Sequence, residues 1–138
     1  GSSLGSSSII DLSLADYFFI GENDYDYIGT SVSSAGDVDG DGFDDLLLGT
    51  SGNGEGGTNA GKSYVIFGSS LGGSPTIDLS LADYSFIGET GDFSGDSVSS
   101  AGDIDGDGLD DILIGALANS DGGNEAGKAV LFKACPAP

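Results

Sequence analysis

Asp37, Asp39, Asp41 and Asp45 stand at positions 1, 3, 5 and 9 of the run Asp-Val-Asp-Gly-Asp-Gly-Phe-Asp-Asp. Asp103, Asp105, Asp107 and Asp111 hold the same places in Asp-Ile-Asp-Gly-Asp-Gly-Leu-Asp-Asp. A hard cation such as Ca²⁺ takes about six to eight oxygen ligands, and a tight loop aims alternate carboxylates inward. Gly42 and Gly108, at position 6, permit the sharp turn. Phe43 and Leu109, at position 7, offer backbone carbonyl oxygens, and Asp45 and Asp111 close the sites. Acids gathered this tightly repel one another unless a cation sits among them. Mg²⁺ suits the pattern less well, because it keeps more of its water. Asp44 and Asp110, at position 8, are expected to be solvated or to stand behind the ligands rather than to bind the ion.

An EF-hand would carry Glu at position 12, between two helices. Here that position is Leu48 or Ile114, inside an apolar run. The loops are therefore EF-hand-like but join strands, and two Ca²⁺ ions per chain are expected.

The composition agrees with a cation partner. The 138 residues carry a formal net charge of −20, with Lys62, Lys128 and Lys133 the only positive side chains. Two bound divalent ions would bring −20 to about −16. Nucleic acid and anionic membrane surfaces are poor partners, so no nucleic acid and no membrane insertion are expected, because almost nothing here can neutralise phosphate. No apolar run approaches the roughly 18 residues of a membrane span. The acidic balance fits a saline or extracellular setting. The single Cys135 cannot form an internal disulfide. The first residue is Gly rather than Met, which reads as a processed or excised piece.

The loops sit inside a larger duplication. Ile10-Asp11-Leu12-Ser13-Leu14-Ala15-Asp16-Tyr17 recurs as Ile77-Asp78-Leu79-Ser80-Leu81-Ala82-Asp83-Tyr84, and Phe19-Ile20-Gly21-Glu22 as Phe86-Ile87-Gly88-Glu89. Ser31-Val32-Ser33-Ser34-Ala35-Gly36 recurs as Ser97-Val98-Ser99-Ser100-Ala101-Gly102, and Ala60-Gly61-Lys62 as Ala126-Gly127-Lys128. Gly1-Ser2-Ser3-Leu4-Gly5 matches Gly68-Ser69-Ser70-Leu71-Gly72, so the chain is expected to begin in phase with its own period. The offset is about 67 residues and becomes about 66 after a one-residue gap, which divides the chain into repeats 1–67 and 68–138.

Each repeat reads as four short strands separated by Gly, Ser, Asn and Asp. In the first these are Tyr17–Ile20, Tyr27–Ala35, Asp45–Thr50 and Lys62–Phe67; in the second, Tyr84–Ile87, Val98–Ala101, Asp111–Ala116 and Lys128–Phe132. The run Leu46-Leu47-Leu48 suits a strand buried on both faces. Leu12 to Asp16 is expected to form no more than a helical turn. The fold class is therefore all-β. Four strands per repeat is the size of a propeller blade, and closed propellers have about four to eight blades. Two blades cannot close a ring. Either the chain is a fragment, or several chains close the ring together; three identical chains would give a six-bladed ring and four an eight-bladed one, and a homo-oligomer is expected. The first strand of one chain would then complete the last blade of the next and remove an open sheet edge.

Two other motifs invite chemistry. Gly56 to Ser63 satisfies the GxxxxGK[ST] phosphate-loop pattern, but its Lys leads into a strand rather than a helix. Glu22 and Glu89 resemble a glycosidase pair. Their recurrence at matched repeat positions favours a structural role. With no His and one terminal Cys, Ser-His and Cys-His sites cannot be built, and no enzyme is expected.

The chain resembles a pair of FG-GAP repeats, the blades of the integrin α-subunit propeller and of many bacterial extracellular proteins. The resemblance rests on the Asp-x-Asp-x-Asp-Gly-x-x-Asp loops and on Leu46-Leu47-Leu48-Gly49 and Ile112-Leu113-Ile114-Gly115. The name-giving motifs are degenerate. Phe-Gly appears as Ile28-Gly29 and Ser94-Gly95, and Gly-Ala-Pro as Gly49-Thr50-Ser51 and Gly115-Ala116-Leu117. The resemblance implies a β-propeller with Ca²⁺ between the first two strands of each blade, outside the cell. The resemblance names no ligand; the expected role is structural or adhesive, with a protein or a glycan as the possible ligand. A glycan-binding propeller, with Tyr17, Tyr25, Tyr27 and Tyr84 available to stack on sugars, is the alternative, as is an accessory domain of a larger extracellular protein.

Overall fold

The computed structural model describes residues 8–136. The match between Gly1–Gly5 and Gly68–Gly72 lies partly outside them. Nine strands are described: β1 (Phe18–Ile20), β2 (Ser31–Gly36), β3 (Asp45–Thr50), β4 (Lys62–Ile66), β5 (Thr76–Asp78), β6 (Tyr84–Ile87), β7 (Ser94–Gly102), β8 (Asp111–Ala116) and β9 (Lys128–Phe132). The helical content is three 3-10 turns, at Leu12–Leu14, Gly68–Ser70 and Leu79–Leu81. Asp11 and Asp78 nucleate the first and last of these. Each carboxylate accepts the amide hydrogen two residues on, from Ser13 or Ser80, at 2.9 Å.

Two antiparallel sheets carry the fold. The first has the order β2-β3-β4-β6 and the second β7-β8-β9; β1 and β5 form a separate parallel pair. The first sheet takes β6 from the second sequence repeat, with Lys62 opposite Ile87 and Val65 opposite Tyr84. Sheet and repeat are therefore out of phase by one strand. These are propeller-like blades, one with four strands and one with three.

The apolar run of β3 is buried on both faces, as its composition requires. Leu47 joins Ala35 and Val65 against Ile112 and Ile114 of the second sheet, forming the core between the blades. Leu48 points the other way and packs with Tyr64, Ile66 and Leu79, with Phe19 of β1 laid against them. Full burial of each such aliphatic side chain contributes about 1.5–3 kcal/mol.

Two strand expectations needed correction. The strand placed from Tyr27 begins only at Ser31, because Tyr27 and Gly29 take positive φ values of 57° and 91° and break the extended backbone. The strand placed at Val98–Ala101 reaches back to Ser94, where it pairs with Ala116 across a register shift between Ser94 and Ser97. Gly95, at φ 84°, lies within that shift. The short β5 was not foreseen.

Candidate metal centre

Both Asp loops join the first two strands of a sheet, β2 to β3 and β7 to β8. The loop backbone folds around its first residue. Asp37 Oδ1 accepts the amides of Gly40 and Asp41 at 2.8 and 3.1 Å, and Oδ2 that of Gly42 at 2.9 Å. Asp103 repeats this with Gly106, Asp107 and Gly108 at 2.7, 3.0 and 2.8 Å. Gly42 and Gly108 hold φ near 90°, a left-handed conformation that a side chain would strain.

The closing aspartates are fixed from the strand side. Asp45 is buried, with Oδ2 on the Val38 amide and Oδ1 on the Gly68 amide, both at 2.9 Å. Asp111 is buried likewise, between the amides of Ile104 and Ala134 at 2.9 Å each. Each thus ties its loop to the chain leaving the third strand of its sheet.

These constraints gather three carboxylates per loop. Asp37, Asp39 and Asp45 bring one oxygen each within 4.8 Å of one another, and Asp103, Asp105 and Asp111 do the same. Partial withdrawal from water, together with the charges of Asp45, Asp41 and Asp37, raises the pKa of Asp39 above the usual carboxylate value, against the lowering effect of the Asp41 amide. Asp41 and Asp107 fall outside these groups of three. Their Oδ1 atoms accept the amides of Phe43 and Leu109, both at 2.9 Å. An all-oxygen, anionic donor set on a turning backbone fits a hard cation such as Ca²⁺ and does not suit a soft metal. The centres differ in one respect: Lys133 Nζ lies 3.3 Å from Asp105 Oδ2, whereas its sequence counterpart in the first repeat, Phe67, packs on the core between the blades and carries no charge.

Asp110 does more than position 8 foretold. Its Oδ2 accepts the Asp37 amide at 2.8 Å, and its own amide donates to the Asp37 carbonyl at 3.0 Å. The second loop thus grips the first residue of the first loop across the blade interface. Asp44, its counterpart, is exposed.

At the far end of the strands lies a second set of polar contacts. Asn53 is fully buried and donates to Asp26 Oδ2 at 3.0 Å; Asn119 donates to both carboxylate oxygens of Asp92 at 3.1 Å. The signal for these pairs was their recurrence at an offset of about 66 residues, but nothing in either residue type marks it as a partner of the other. Lys62, of the GxxxxGK[ST] pattern, opens β4 and binds Glu22 at 2.6 Å and Glu55. Tyr64 OH also donates to Glu22, at 2.9 Å. The Lys62 hydrogen bond holds the Glu22 pKa below its ordinary value despite partial burial. Residues that mimic a phosphate loop and a glycosidase acid are thus joined in one ion network.

No helix among the described residues is long and apolar enough to cross a membrane. A family model for the FG-GAP repeat matches residues 28–66 and 94–132. Each matched segment contains the three strands and the Asp loop of one blade, and β6 lies between them. With more than half of its 138 residues covered, the chain belongs to the FG-GAP repeat family, an integrin-like β-propeller module.

Proposed function

We propose that this chain is a calcium-binding, non-catalytic propeller module with a structural or adhesive binding role outside the cell. The observation that carries this reading is the recurrence of one carboxylate group at equivalent places in both blades. A catalytic centre has no reason to recur once per blade, whereas a clip between the first two strands does. In this reading Asp37, Asp39, Asp41 and Asp45, with the Phe43 carbonyl, bind one Ca²⁺. Asp103, Asp105, Asp107 and Asp111, with the Leu109 carbonyl, bind the other. Asp41 and Asp107 would have to exchange their amide contacts for the ion. Lys133 competes with the cation at the second loop, so that loop is the weaker site.

Isothermal titration with Ca²⁺ tests the proposal. Two ions per chain are expected, falling to one in Asp45→Asn and one in Asp111→Asn. Ion binding should raise the melting temperature, and a chelator should reverse the rise. An unchanged melting temperature, or a stoichiometry that neither variant alters, would refute it.

A glycan-binding reading draws on Tyr25 and Tyr27, which are exposed with ring centroids 6.4 Å apart. They stand beside a polar hollow lined by Glu22, Asn23 and Asp24. Binding on a glycan array, competed by free sugar and lost in Tyr25→Ala, would favour it. An array without signal leaves the protein-adhesion role in place.

A further inference from the structure

Two successive residues of the second Asp loop, Leu109 and Asp110, reach across the blade interface to the first loop. The buried Leu109 side chain lies over Gly40, where a Cβ would stand 2.8 Å from Leu109 Cδ2. The Asp110 side chain covers Gly36 and Asp37. A Cβ on Gly36 would overlap the Asp110 carboxylate, and would lie 2.6 Å from its Cβ. Side chains at Gly36 and Gly40 would therefore force the loops apart. Beneath them Val38 packs on the core that contains Ile112. The two loops meet through hydrogen bonds, apolar contact and close backbone approach, all within the described residues.

Both ends of this contact lie on parts that shape a metal centre. In the first loop the Asp37 peptide groups are held by Asp110, the amide at 2.8 Å and the carbonyl at 3.0 Å. Asp37 is the residue whose carboxylate gathers the amides of Gly40, Asp41 and Gly42, and it belongs to the first group of three carboxylates. In the second loop Leu109 and Asp110 stand between Asp107, which accepts the Leu109 amide at 2.9 Å, and buried Asp111 of the second group. Asp110 itself faces a backbone amide of the other loop, so it can transmit the position of its own loop without holding an ion.

We infer that the two metal centres are coupled through Leu109 and Asp110, so that a cation in either loop raises the affinity of the other. The inference rests on the calcium reading of the loops. A cation held by the Leu109 carbonyl and Asp111 fixes the peptide between them, and with it the Asp110 groups that hold Asp37. The first loop then binds its own ion with part of its ordering cost already met. The coupling is a free energy shared by both sites, so the first loop helps the second by the same factor. It also offsets the handicap of the second loop, whose Asp105 is paired with Lys133. Repulsion between two bound cations opposes the effect, but salt screens it over about 8 Å at physiological ionic strength.

Amide hydrogen exchange read by NMR, with calorimetric Ca²⁺ titration at about 0.15 M salt, tests the coupling. Asp39→Asn combined with Asp41→Asn, both at exposed positions, disables the first loop without changing a buried group or the Asp37 reporter. In that variant Ca²⁺ enters the second loop alone, and protection of the Asp37 amide should rise by about fivefold or more. Adding Asp110→Ala should abolish the rise. The titration gives the same comparison as affinities: the second loop should bind about fivefold or more weakly in the first-loop variant than in the parent, and this difference should vanish when both carry Asp110→Ala. A parent that binds two ions independently, or an Asp37 amide that Ca²⁺ leaves unchanged, overturns the coupling and leaves the calcium reading in place. Coupling that survives Asp110→Ala overturns the assignment to that residue. A parent that takes up no Ca²⁺ overturns both the calcium reading and the coupling.

Discussion

Replacing Asp110 with Ala isolates the contact between the two loops. The substitution removes the carboxylate that accepts the Asp37 amide at 2.8 Å but leaves the backbone bond from Asp110 to the Asp37 carbonyl at 3.0 Å. A hydrogen bond to a charged group contributes about 1.5–3 kcal/mol. Asp110 is partly exposed, so water replaces some of this, and removing one charge beside an acidic loop returns a few tenths of a kcal/mol. The net loss is about 1–2 kcal/mol. At roughly 2.1 cal/mol/K per residue, the unfolding entropy of 138 residues is about 0.29 kcal/mol/K. The melting temperature should therefore fall by about 3–7 °C. Calorimetry in chelator is the assay. Asp44→Ala is the comparison: its carboxylate has no hydrogen-bond partner among the described residues, so its effect should stay within about 0.5 kcal/mol. Equal effects of the two substitutions, or a neutral Asp110→Ala, would refute the reasoning.

Other expectations follow from the polar network and the close backbone approaches. Asn53→Ala deprives buried Asp26 of a donor and should destabilise by about 1–3 kcal/mol in urea, whereas Asn124→Ala on the exposed surface should be near neutral. Lys62→Met should flatten the acid limb of the stability profile. Glu22 has a depressed folded pKa, so its contribution is complete above the unfolded value of 4.5 and is lost as pH falls through the lower folded value. Urea midpoints of Lys62→Met and the parent from neutral pH downward should converge across that window. Gly61→Ala should cost several kcal/mol, because φ is 80° and a Cβ would meet the Ser94 carbonyl oxygen; soluble yield and circular dichroism report the outcome.

The sequence was most readable where burial and spacing coincide. Asp45–Thr50, Tyr84–Ile87, Asp111–Ala116 and Lys128–Phe132 appear as strands with the bounds their apolar runs imply. Leu12–Leu14 forms the short turn expected between Leu12 and Asp16. The clustering of carboxylates was legible because a tight loop needs a fixed spacing of them, and the structure gathers three of the four aspartates expected in each loop. The start of β2 was not legible. Tyr27 is a good strand residue by propensity, yet the path of the chain demands a left-handed conformation there. Nor was the role of Asp110, whose partner stands 73 residues away. A local pattern can place a carboxylate beside a metal loop but cannot say which other loop faces it.

The one-strand offset between repeat and sheet affects how such a protein can grow. If the cut between units fell between sheets, duplicating the gene segment would produce self-contained modules with no need to remain neighbours. Here, a polypeptide severed between 67 and 68 leaves β2-β3-β4 without β6, although every residue of the first repeat is present. Adding or deleting a whole unit, by contrast, keeps the same strand pairing at every junction between units. Unequal recombination can therefore change the number of units without creating a junction that the fold has not already solved.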